Sequence, residues 1–561
     1  MGSERHPCRV LFLFSVSVAT GLTVACTKPA AVPPKVLAPI AVLSPELPVA
    51  VTGGSIRGAR AGTSPEVVAF KGVPFAAPPV GPLRWSAPEP VRDWEGVRDA
   101  TKSGSICVQG GGQDIPQSED CLFLNVWAPS ETTEPRPVMV WVHGGGFTGG
   151  SGSSAIYDGT AFASTGVVLV SLNYRLNVFG FLAHPALSAQ SGHDASGNYG
   201  LMDIVAALTW VRDNISKFGG DPNRVTLFGE SAGAGAVMSV MLVPQAKGLF
   251  QRAIGESNWV YGWDRPLRKA ARGWAPAEAQ GTQIARALGA EGANALVTMR
   301  EATSAKVLAA ANAGAGSQFL RKGYVWAPNV DGWVIPDDPM VMYEAGRQHD
   351  VPLITGMNGN EGSMMTRQLG VKTAAAFESH VAQVYPRVKK QALATYKVVT
   401  DDTAKAGIDH LIHDMYFAGP VRTHVRAQAK KTSPAWLYHF TRVPPTSSGA
   451  TLGSHHASEL VYVFGNMTST GTEAGERPLA LSTEGAWTDA DRQLSTTMMS
   501  YWIQFATTGN PKRDGLPAWP AYNASSDTFL TLDEHVTTGT GLHKEGAELF
   551  DAFEATERAE R

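Results

Sequence analysis

Several features are scarce or missing in this sequence. Only four cysteines occur in 561 residues, and two of them, Cys8 and Cys26, lie in the N-terminal segment. Lysine and arginine form no long run and the formal net charge is -3, so electrostatics gives no reason to expect a nucleic-acid partner. No H-E-x-x-H sequence is present, so a common zinc-hydrolase signature is missing. The longest apolar run, Val10–Ala25, has 16 residues, which is short for a membrane-spanning helix.

The N-terminal segment has the composition of an export signal. Arg5 and Arg9 precede the run Val10–Ala25, which matches the apolar region of a secretory signal peptide. Cys26 follows a small residue, as at a bacterial lipoprotein cleavage site, although Thr23 stands where an aliphatic residue is usual. Lipidation at Cys26 and ordinary signal cleavage therefore both stay open. We expect a periplasmic or extracellular protein, with membrane attachment only through a lipid on Cys26.

Composition divides the chain into four segments. Residues 1–26 form the signal, and residues 27–48 are rich in Pro and Ala, which predicts an extended tether. Residues 49–545 form the folded region, and residues 546–561 form a charged C-terminal tail. Length alone allows three or four domains.

Cys107 and Cys121 are the two cysteines inside the folded region. In an exported protein such an isolated pair favours a disulfide. Closing a loop of this length stabilises by about 3 kcal/mol in the chain-entropy model. Two buried thiols are the alternative.

Short apolar runs alternate with helical patterns from about Val138 onward, and this alternation predicts an α/β protein. Asp203–Phe218 has helical spacing of its apolar residues, and the Ala-rich stretch Pro276–Leu320 is also helical in pattern. Continuous β-branched and aromatic strands suit a sheet that is covered on both faces. Strand alternating with helix predicts a mostly parallel, doubly wound sheet. The expected strands are Val138–Val142, Val167–Tyr174, Val225–Phe228, Val351–Thr355 and Trp436–Phe440.

A G-x-S-x-G sequence, Gly229–Gly233, centres on Ser231. The motif alone is weak, but the strand Val225–Phe228 runs into it and a helix of small residues leaves it. This is the strand–turn–helix order of a nucleophile elbow. Glycines allow the close backbone approach of such a turn, and the helix N-terminus favours negative charge developing at the serine. A structural Gly-rich turn is the alternative.

A second glycine-rich sequence, His143–Phe147, follows the strand Val138–Val142. Acyl-transfer enzymes need backbone N–H donors aimed at the tetrahedral oxyanion. We expect these donors on Gly145, Gly146 and Ala232, the last being the residue after the nucleophile. A phosphate-binding loop is the alternative, but no G-K-[ST] follows.

With these motifs in place, the chain resembles the type-B carboxylesterase and cholinesterase-like family of α/β hydrolases, which includes para-nitrobenzyl esterases. The resemblance implies the α/β-hydrolase fold: one large catalytic domain with a mostly parallel twisted sheet, helices on both faces and insertions. It also implies a serine carboxylesterase that acts on small-molecule esters through an acyl-enzyme, with no metal or cofactor. The matching stretches are Phe70–Trp85, Ser118–Trp127, His143–Phe147, Asn173–Leu182, Gly197–Gly233, Asn358–Met365, His456–Asn466 and Tyr501–Pro511.

The resemblance implies a triad in the chain order Ser, Glu, His. Its acid is Glu361, in the sequence Asn-Gly-Asn-Glu-Gly-Ser that follows a strand. Its base is His456 rather than its neighbour His455, because the family's His is followed three positions later by Glu and then by a strand ending in Val-Phe-Gly. Ser257 and Glu230 are expected to support the triad, although the family usually has Gln-Ser-Gly where this chain has Glu-Ser-Asn. The pair Cys107–Cys121 matches a family disulfide.

Specific residues favour or disfavour the alternative functions. No aromatic residue lies between Cys107 and Cys121, where choline-ester relatives place a Trp for cation–π attraction, so a choline ester is disfavoured. Retention of all three triad residues disfavours the adhesion proteins of this family. A metal hydrolase has only the pair His410 and His413 in its favour. Amidase and carbamate chemistry stays open, since it uses the same groups. Trp259, Tyr261 and Trp263 are candidates for the substrate-pocket wall, with core packing as the alternative.

Overall fold

The computed structural model describes residues 40–62, 64–110, 116–258, 265–271, 275–313, 325–467 and 485–558. Its strands are β1 (Ala41–Val42), β2 (Val49–Val51), β3 (Gly54–Arg57), β4 (Ala59–Arg60), β5 (Val67–Pro74), β6 (Val97–Asp99), β7 (Ile106–Cys107), β8 (Gln117–Ser118), β9 (Phe123–Pro129), β10 (Glu131–Thr132), β11 (Arg136–Val142), β12 (Val168–Leu172), β13 (Gly220–Glu230), β14 (Arg252–Glu256), β15 (Arg265–Pro266), β16 (Asn329–Val330), β17 (Leu353–Asn358), β18 (Ala435–Phe440), β19 (Thr528–Leu532) and β20 (Thr537–Thr540).

The α-helices in these residues are α1 (Thr160–Ser164), α2 (Asn177–Phe181), α3 (Pro185–Gln190), α4 (Tyr199–Asn214), α5 (Ala232–Val240), α6 (Ala277–Ala287), α7 (Ala295–Glu301), α8 (Ser304–Ala313), α9 (Pro339–Glu344), α10 (Gly362–Met365), α11 (Ala374–Val384), α12 (Lys389–Tyr396), α13 (Asp401–His413), α14 (Gly419–Gln428), α15 (Ser447–Leu452), α16 (Leu460–Phe464), α17 (Asp489–Thr508) and α18 (Lys544–Arg558). A π-helical turn, Asp414–Ala418, joins α13 to α14.

An 11-stranded sheet with the order β20-β19-β18-β17-β14-β13-β11-β12-β9-β5-β4 organises the chain. The strands from β12 to β19 in this order run parallel, while β4, β5, β9 and β20 pair antiparallel at the two edges. The prediction of a mostly parallel sheet is therefore confirmed, and all five predicted strands belong to it.

Both faces of the sheet are buried. Along β11, Val138 and Val140 pack in one hydrophobic cluster, whereas Met139 and Trp141 pack in a second cluster on the opposite face. Successive side chains of a strand point to opposite faces, so a continuous apolar run is needed where helices cover both sides. Helix α4 covers one face through Ile204 and its neighbours, and α17 covers the other.

The Ala-rich stretch Pro276–Leu320 is helical over its described part, as α6, α7 and α8 with a short 3-10 turn before α7. Residues 314–320 lie outside the described residues. The predicted helix Asp203–Phe218 corresponds to most of α4 and the 3-10 turn that follows it.

The two predicted ends of the folded region need correction. Folded structure begins before residue 49, because β1 pairs with β10 and the Ile40 N–H donates to Thr132 O at 2.7 Å. Residues 546–558 are not a charged tail but most of α18, which buries Leu549 and Phe550 against the domain. The helix is amphipathic, so its charges mark a solvent face rather than disorder. The proposed signal and Cys26 lie outside the described residues.

The Cys107–Cys121 disulfide is present, and it links β7 to the start of the chain leading into β9. The parallel pair β7–β8 lies inside this loop. Among the described residues, no helix combines the length and apolar character that crossing a bilayer requires.

Candidate active site

Five neighbouring parallel strands end at one edge of the sheet, and each is followed by a residue of interest. β11 leads to the triple glycine, and β13, β14 and β17 lead to Ser231, Ser257 and Glu361. His456 follows β18 after the short helix α15. Because the carboxyl ends of parallel strands share an edge, ligand and active sites form there. Residues that are as much as 225 positions apart in sequence are brought into contact in this way.

Ser231 occupies a strained turn between β13 and α5. Its backbone has φ 55° and ψ -124°, outside the regions that non-glycine residues prefer. The Ser231 N–H donates to Glu256 O at 2.9 Å on the neighbouring strand. Gly233 is required by packing, since a Cβ there would lie 2.0 Å from Val142 O. The predicted nucleophile elbow is therefore the observed local structure.

His456 connects Ser231 to Glu361. Its Nε2 lies 2.8 Å from Ser231 Oγ, and its Nδ1 lies 2.6 Å from Glu361 Oε2. A carboxylate only accepts hydrogen bonds, so Nδ1 carries the proton and Nε2 is left to accept from the serine hydroxyl. His455 takes no part, because its Nδ1 lies 2.8 Å from the carbonyl oxygen of His456.

Glu361 is fully buried and held by three donors. Ser257 Oγ donates to Oε1 at 2.6 Å, the Asn358 N–H donates to the same oxygen at 2.7 Å, and His456 Nδ1 donates to Oε2. Every partner donates, which is the environment that suits a carboxylate anion. Ser257, predicted as a supporting residue, thus contacts the predicted acid directly.

Three backbone N–H groups beside Ser231 or in the glycine-rich turn have no hydrogen-bond partner among the described residues. Among the described residues, the N–H groups of Gly145, Gly146 and Ala232 make no hydrogen bond to another group. Gly146 and Ala232 are buried, and buried N–H groups are normally paired. Ala232 is the first residue of α5, where the N–H is free by helix geometry. The structure therefore leaves available the donors that the sequence predicted for an oxyanion.

Additional carboxyl groups lie around the predicted triad, and burial raises the pKa of each. Burial is the first cause that raises the pKa of Glu230, followed by the charges of Glu361 and Glu256. Burial also raises the pKa of Glu256 to about 8, against a hydrogen bond from Trp502, and it raises the pKa of Glu459 well above its usual range. Glu230 Oε1 lies 3.2 Å from His456 Nε2, but the hydrogen bond of that nitrogen goes to the serine.

The predicted triad is also contacted by an element that the sequence reasoning missed. The π-helical turn Asp414–Ala418 places the Phe417 ring 4.9 Å from the His456 ring, centroid to centroid. His413, just before the turn, accepts a hydrogen bond on Nδ1 from the Glu361 N–H at 3.3 Å. π-Helical turns are found frequently at functional sites. Neither contact has a local sequence signal.

The segment after His456 corrects one expectation. The family resemblance predicted a strand ending in Val-Phe-Gly, but residues Leu460–Phe464 form α16, which is capped by Gly465 in a left-handed conformation. The apolar run is buried as a helix against α17 instead of joining the sheet. A short apolar run does not distinguish the two states by periodicity.

One group of residues has the composition of a cation site. Single ligand atoms of His413, Asp414 and His543 lie within 4.8 Å of one another. The hydrogen bonding favours a polar network instead: His413 Nδ1 accepts from Glu361, which puts the ring proton on Nε2, and His543 Nδ1 donates to Asp414 at 2.8 Å. Ligating a cation through His413 Nε2 would break the bond to Glu361. In the alternative pair, His413 is buried and His410 is exposed.

Some predicted features cannot be placed. Trp259, Tyr261 and Trp263, the candidates for the pocket wall, lie outside the described residues.

The chain is similar to known esterases over most of its length. A model described as the carboxylesterase family matches residues 45–550. Fumonisin B1 esterase of Sphingopyxis macrogoltabida is 36% identical over 495 residues, covering 86% of this chain and 87% of that protein. Para-nitrobenzyl esterase of Bacillus subtilis is 35% identical over 515 residues, covering 86% and 94%.

Solved structures give the same relationship. A PNB esterase structure superposes with a TM-score of 0.75 at 33% identity, covering 90% of this chain and 99% of that chain. A carboxylesterase of Geobacillus stearothermophilus superposes with a TM-score of 0.76 at 31% identity, with the same coverage. At these identities the similarity extends beyond the fold to the family.

Proposed function

The chain belongs to the carboxylesterase family and is a carboxylic ester hydrolase, and from this premise we propose that Ser231, Glu361 and His456 are its catalytic triad. Ser231 is the nucleophile, His456 the general base and acid, and Glu361 the residue that orients the imidazole. Gly145, Gly146 and Ala232 supply the oxyanion hole.

In the proposed mechanism, His456 Nε2 takes the Ser231 hydroxyl proton as Oγ attacks the ester carbonyl carbon. The carbonyl oxygen becomes an oxyanion that accepts from the three backbone N–H groups. His456 then gives its proton to the departing alcohol, which leaves an acyl-enzyme on Ser231. Water repeats the sequence on the acyl carbon and releases the carboxylic acid. Glu361 stabilises the imidazolium in both halves.

One observation carries the proposal: the continuous hydrogen-bond chain from Ser231 Oγ through both nitrogens of His456 to Glu361 Oε2. Surface polar contacts arise commonly, but this chain joins three side chains that are each at most 7% exposed. Its order also matches what base-activated nucleophilic catalysis requires.

The adjacent histidines provide a matched test of the proposal. Hydrolysis of a p-nitrophenyl ester is measured for Ser231→Ala, His456→Ala and His455→Ala. We expect the first two to lose several orders of magnitude in kcat, while His455→Ala keeps most activity. The assignment is wrong if Ser231→Ala keeps wild-type turnover, or if the two histidine variants show the reverse pattern.

The preferred ester is addressed by a substrate series. The relatives are named for fumonisin B1 and for a para-nitrobenzyl ester, so the series includes both, together with acyl chains of increasing length. A tertiary-alcohol ester tests a bulky substrate class that the triple-glycine loop would permit, and a carbamate tests the alternative chemistry that uses the same catalytic groups. Choline esters are expected to be poor substrates, because the segment Cys107–Cys121 contains no aromatic side chain.

We further propose that the protein is exported, with or without a lipid on Cys26. The Cys107–Cys121 disulfide supports this proposal, since such bonds persist in oxidising compartments. Fractionation of cells expressing the full chain tests it. Cys26→Ala should release a lipoprotein from the membrane fraction and leave a simply secreted protein where it was.

A further inference from the structure

Gln109 lies between the disulfide and the turn that carries the proposed oxyanion hole. It is 7% exposed and two residues after Cys107. Its side chain forms a two-way contact with one glycine: the Gly150 N–H donates to Oε1 at 2.9 Å, and Nε2 donates to Gly150 O at 3.1 Å. Such paired bonds fix both the position and the orientation of the peptide group.

Gln109 also forms hydrogen bonds to both strands of the disulfide loop. Its Nε2 also donates to Cys107 O at 3.0 Å, and its backbone N–H donates to Gln117 Oε1 at 2.9 Å. Gln117 belongs to β8, which pairs with the strand of Cys107. The position of Gln109 therefore depends on the geometry that the disulfide imposes.

Gly150 closes the turn that begins at Gly145. The carbonyl oxygen of Gly145 accepts from the N–H groups of Thr148 and Gly149, both at 3.1 Å. Gly145 has φ +105°, and a Cβ there would lie 2.2 Å from Gly149 O. Gly150 packs equally closely on the start of the turn, since a Cβ on it would lie 2.5 Å from Gly144 O. A displacement of Gly150 would thus be transmitted to the N–H groups of Gly145 and Gly146.

The Asn173 side chain links Cys121, the other cysteine of the disulfide, to Gly152, which follows the turn. Asn173 Nδ2 donates to Cys121 O at 3.2 Å, and its Oδ1 accepts from the Gly152 N–H at 2.9 Å. The carbonyl groups of both cysteines are thereby linked through amide side chains to the segment Gly150–Gly152.

From these contacts we propose that Gln109 is a positioning residue for ester hydrolysis, through which the Cys107–Cys121 disulfide holds the oxyanion turn in its active geometry. The inference rests on the proposed oxyanion hole. A turn of glycines has many accessible conformations, so contacts from outside the turn add to its internal hydrogen bonds in preorganising its N–H groups. Preorganised donors act at the transition state, and the effect of Gln109 should therefore appear in kcat rather than in KM.

The experiment measures kcat and KM on a p-nitrophenyl ester, and the inhibition constant of a trifluoromethyl ketone whose serine adduct carries an oxyanion. Gln109→Met removes the polar contacts at similar volume. Gln428→Met is the control, because Gln428 is buried and donates to the carbonyl of Val351 away from the site. If Gln109→Met does not fold, the same constants are measured for Gln109→Glu, which keeps the acceptor Oε1 and loses the amide donor.

We expect Gln109→Met to lower kcat at least about tenfold, short of the loss of a whole oxyanion donor, with little change in KM. The ketone should bind more weakly by a similar factor. The control should change neither quantity. The double variant Cys107→Ser/Cys121→Ser should lower kcat as well. When Gln109→Met is added to it, the total fold-decrease in kcat should be smaller than the product of the two separate fold-decreases.

The results separate this inference from the triad assignment. If Ser231→Ala is inactive while Gln109→Met keeps both kcat and ketone affinity, the positioning role is wrong and the triad stands. If the fold-decreases in kcat from the disulfide and Gln109 substitutions multiply in the combined variant, the proposed coupling between them is refuted. If Ser231→Ala keeps wild-type turnover, both proposals fall.

Discussion

Glu256→Gln should make the protein more stable, and increasingly so as the pH rises. Glu256 is fully buried at the end of β14 and accepts from Trp502 Nε1 at 2.8 Å through Oε1. Its other oxygen has no partner among the described residues. A glutamine keeps the acceptor for Trp502 and nearly the same volume, but it cannot ionise.

The magnitude follows from the pKa of Glu256, which burial raises from 4.5 to about 8. Between these values the unfolded chain releases the proton and the folded protein retains it, so the unfolded state binds fewer protons and stability falls as the pH rises. The full shift corresponds to about 5 kcal/mol, and the part between pH 5 and pH 8 to about 4 kcal/mol. With an unfolding entropy of about 1 kcal/mol/K for a domain of this size, the latter is about 4 °C in Tm.

The assay is the Tm of wild-type and Glu256→Gln between pH 5 and pH 9 at one scan rate. The Tm difference should increase by about 4 °C from pH 5 to pH 8 and then level off. Glu95→Gln is the control, since Glu95 is exposed, and its Tm should stay close to that of the wild type. A Tm difference for Glu256→Gln that is constant with pH would refute the reasoning, because it would mean that Glu256 is ionised in the folded protein.

Three further substitutions test the site itself. Gly145→Ala should lower kcat on the order of 100-fold, because its Cβ would lie 2.2 Å from Gly149 O and displace the turn; unchanged steady-state kinetics would contradict this. Ser257→Ala removes one donor to Glu361 and should lower kcat about tenfold with KM unchanged, since a hydrogen bond to a charged group is worth about 1.5 kcal/mol or more. Glu230→Gln should keep kcat within about tenfold, because burial raises the pKa of Glu230 and so disfavours the charge that the glutamine removes; a loss as large as that of Ser231→Ala would show that its charge is used.

The parts of the site that the sequence predicted are those with local signals. Ser231 and the triple glycine each follow a strand within a few residues, so the residues that form each turn are adjacent in the sequence. The family resemblance was needed to prefer His456 over His455, although the spacing to Glu459 on which that choice rests lies within one short segment. Glu361 required the family resemblance, since nothing local distinguishes it from other acidic residues that follow strands.

Long-range contacts could not be predicted in this way. Gln109 meets Gly150 across 41 positions, and Phe417 reaches His456 from a π-helical turn whose sequence has no distinctive period. The strand expected after His456 was wrong for a related reason, because five apolar residues fit a buried helix as well as a strand. The charged residues of α18 suggested a tail, because the burial of its apolar residues against the domain is not visible in the sequence.

The raised pKa of the surrounding carboxyl groups bears on how the proposed base, His456, could act in a site that is rich in acids. Glu230 Oε1 lies 3.2 Å from His456 Nε2. Two opposite unit charges at that separation attract by about 5 kcal/mol at an effective dielectric constant of 20. An ionised Glu230 would therefore stabilise an imidazolium before Ser231 had given up its proton, and the resting enzyme would lack an acceptor. Burial opposes this by raising the pKa of Glu230, while Glu361, with three donors, supplies the negative charge on the other side of the ring. In the proposed mechanism, His456 therefore has the negatively charged Glu361 at Nδ1 and a carboxyl group of raised pKa near Nε2, the nitrogen that would accept the Ser231 proton.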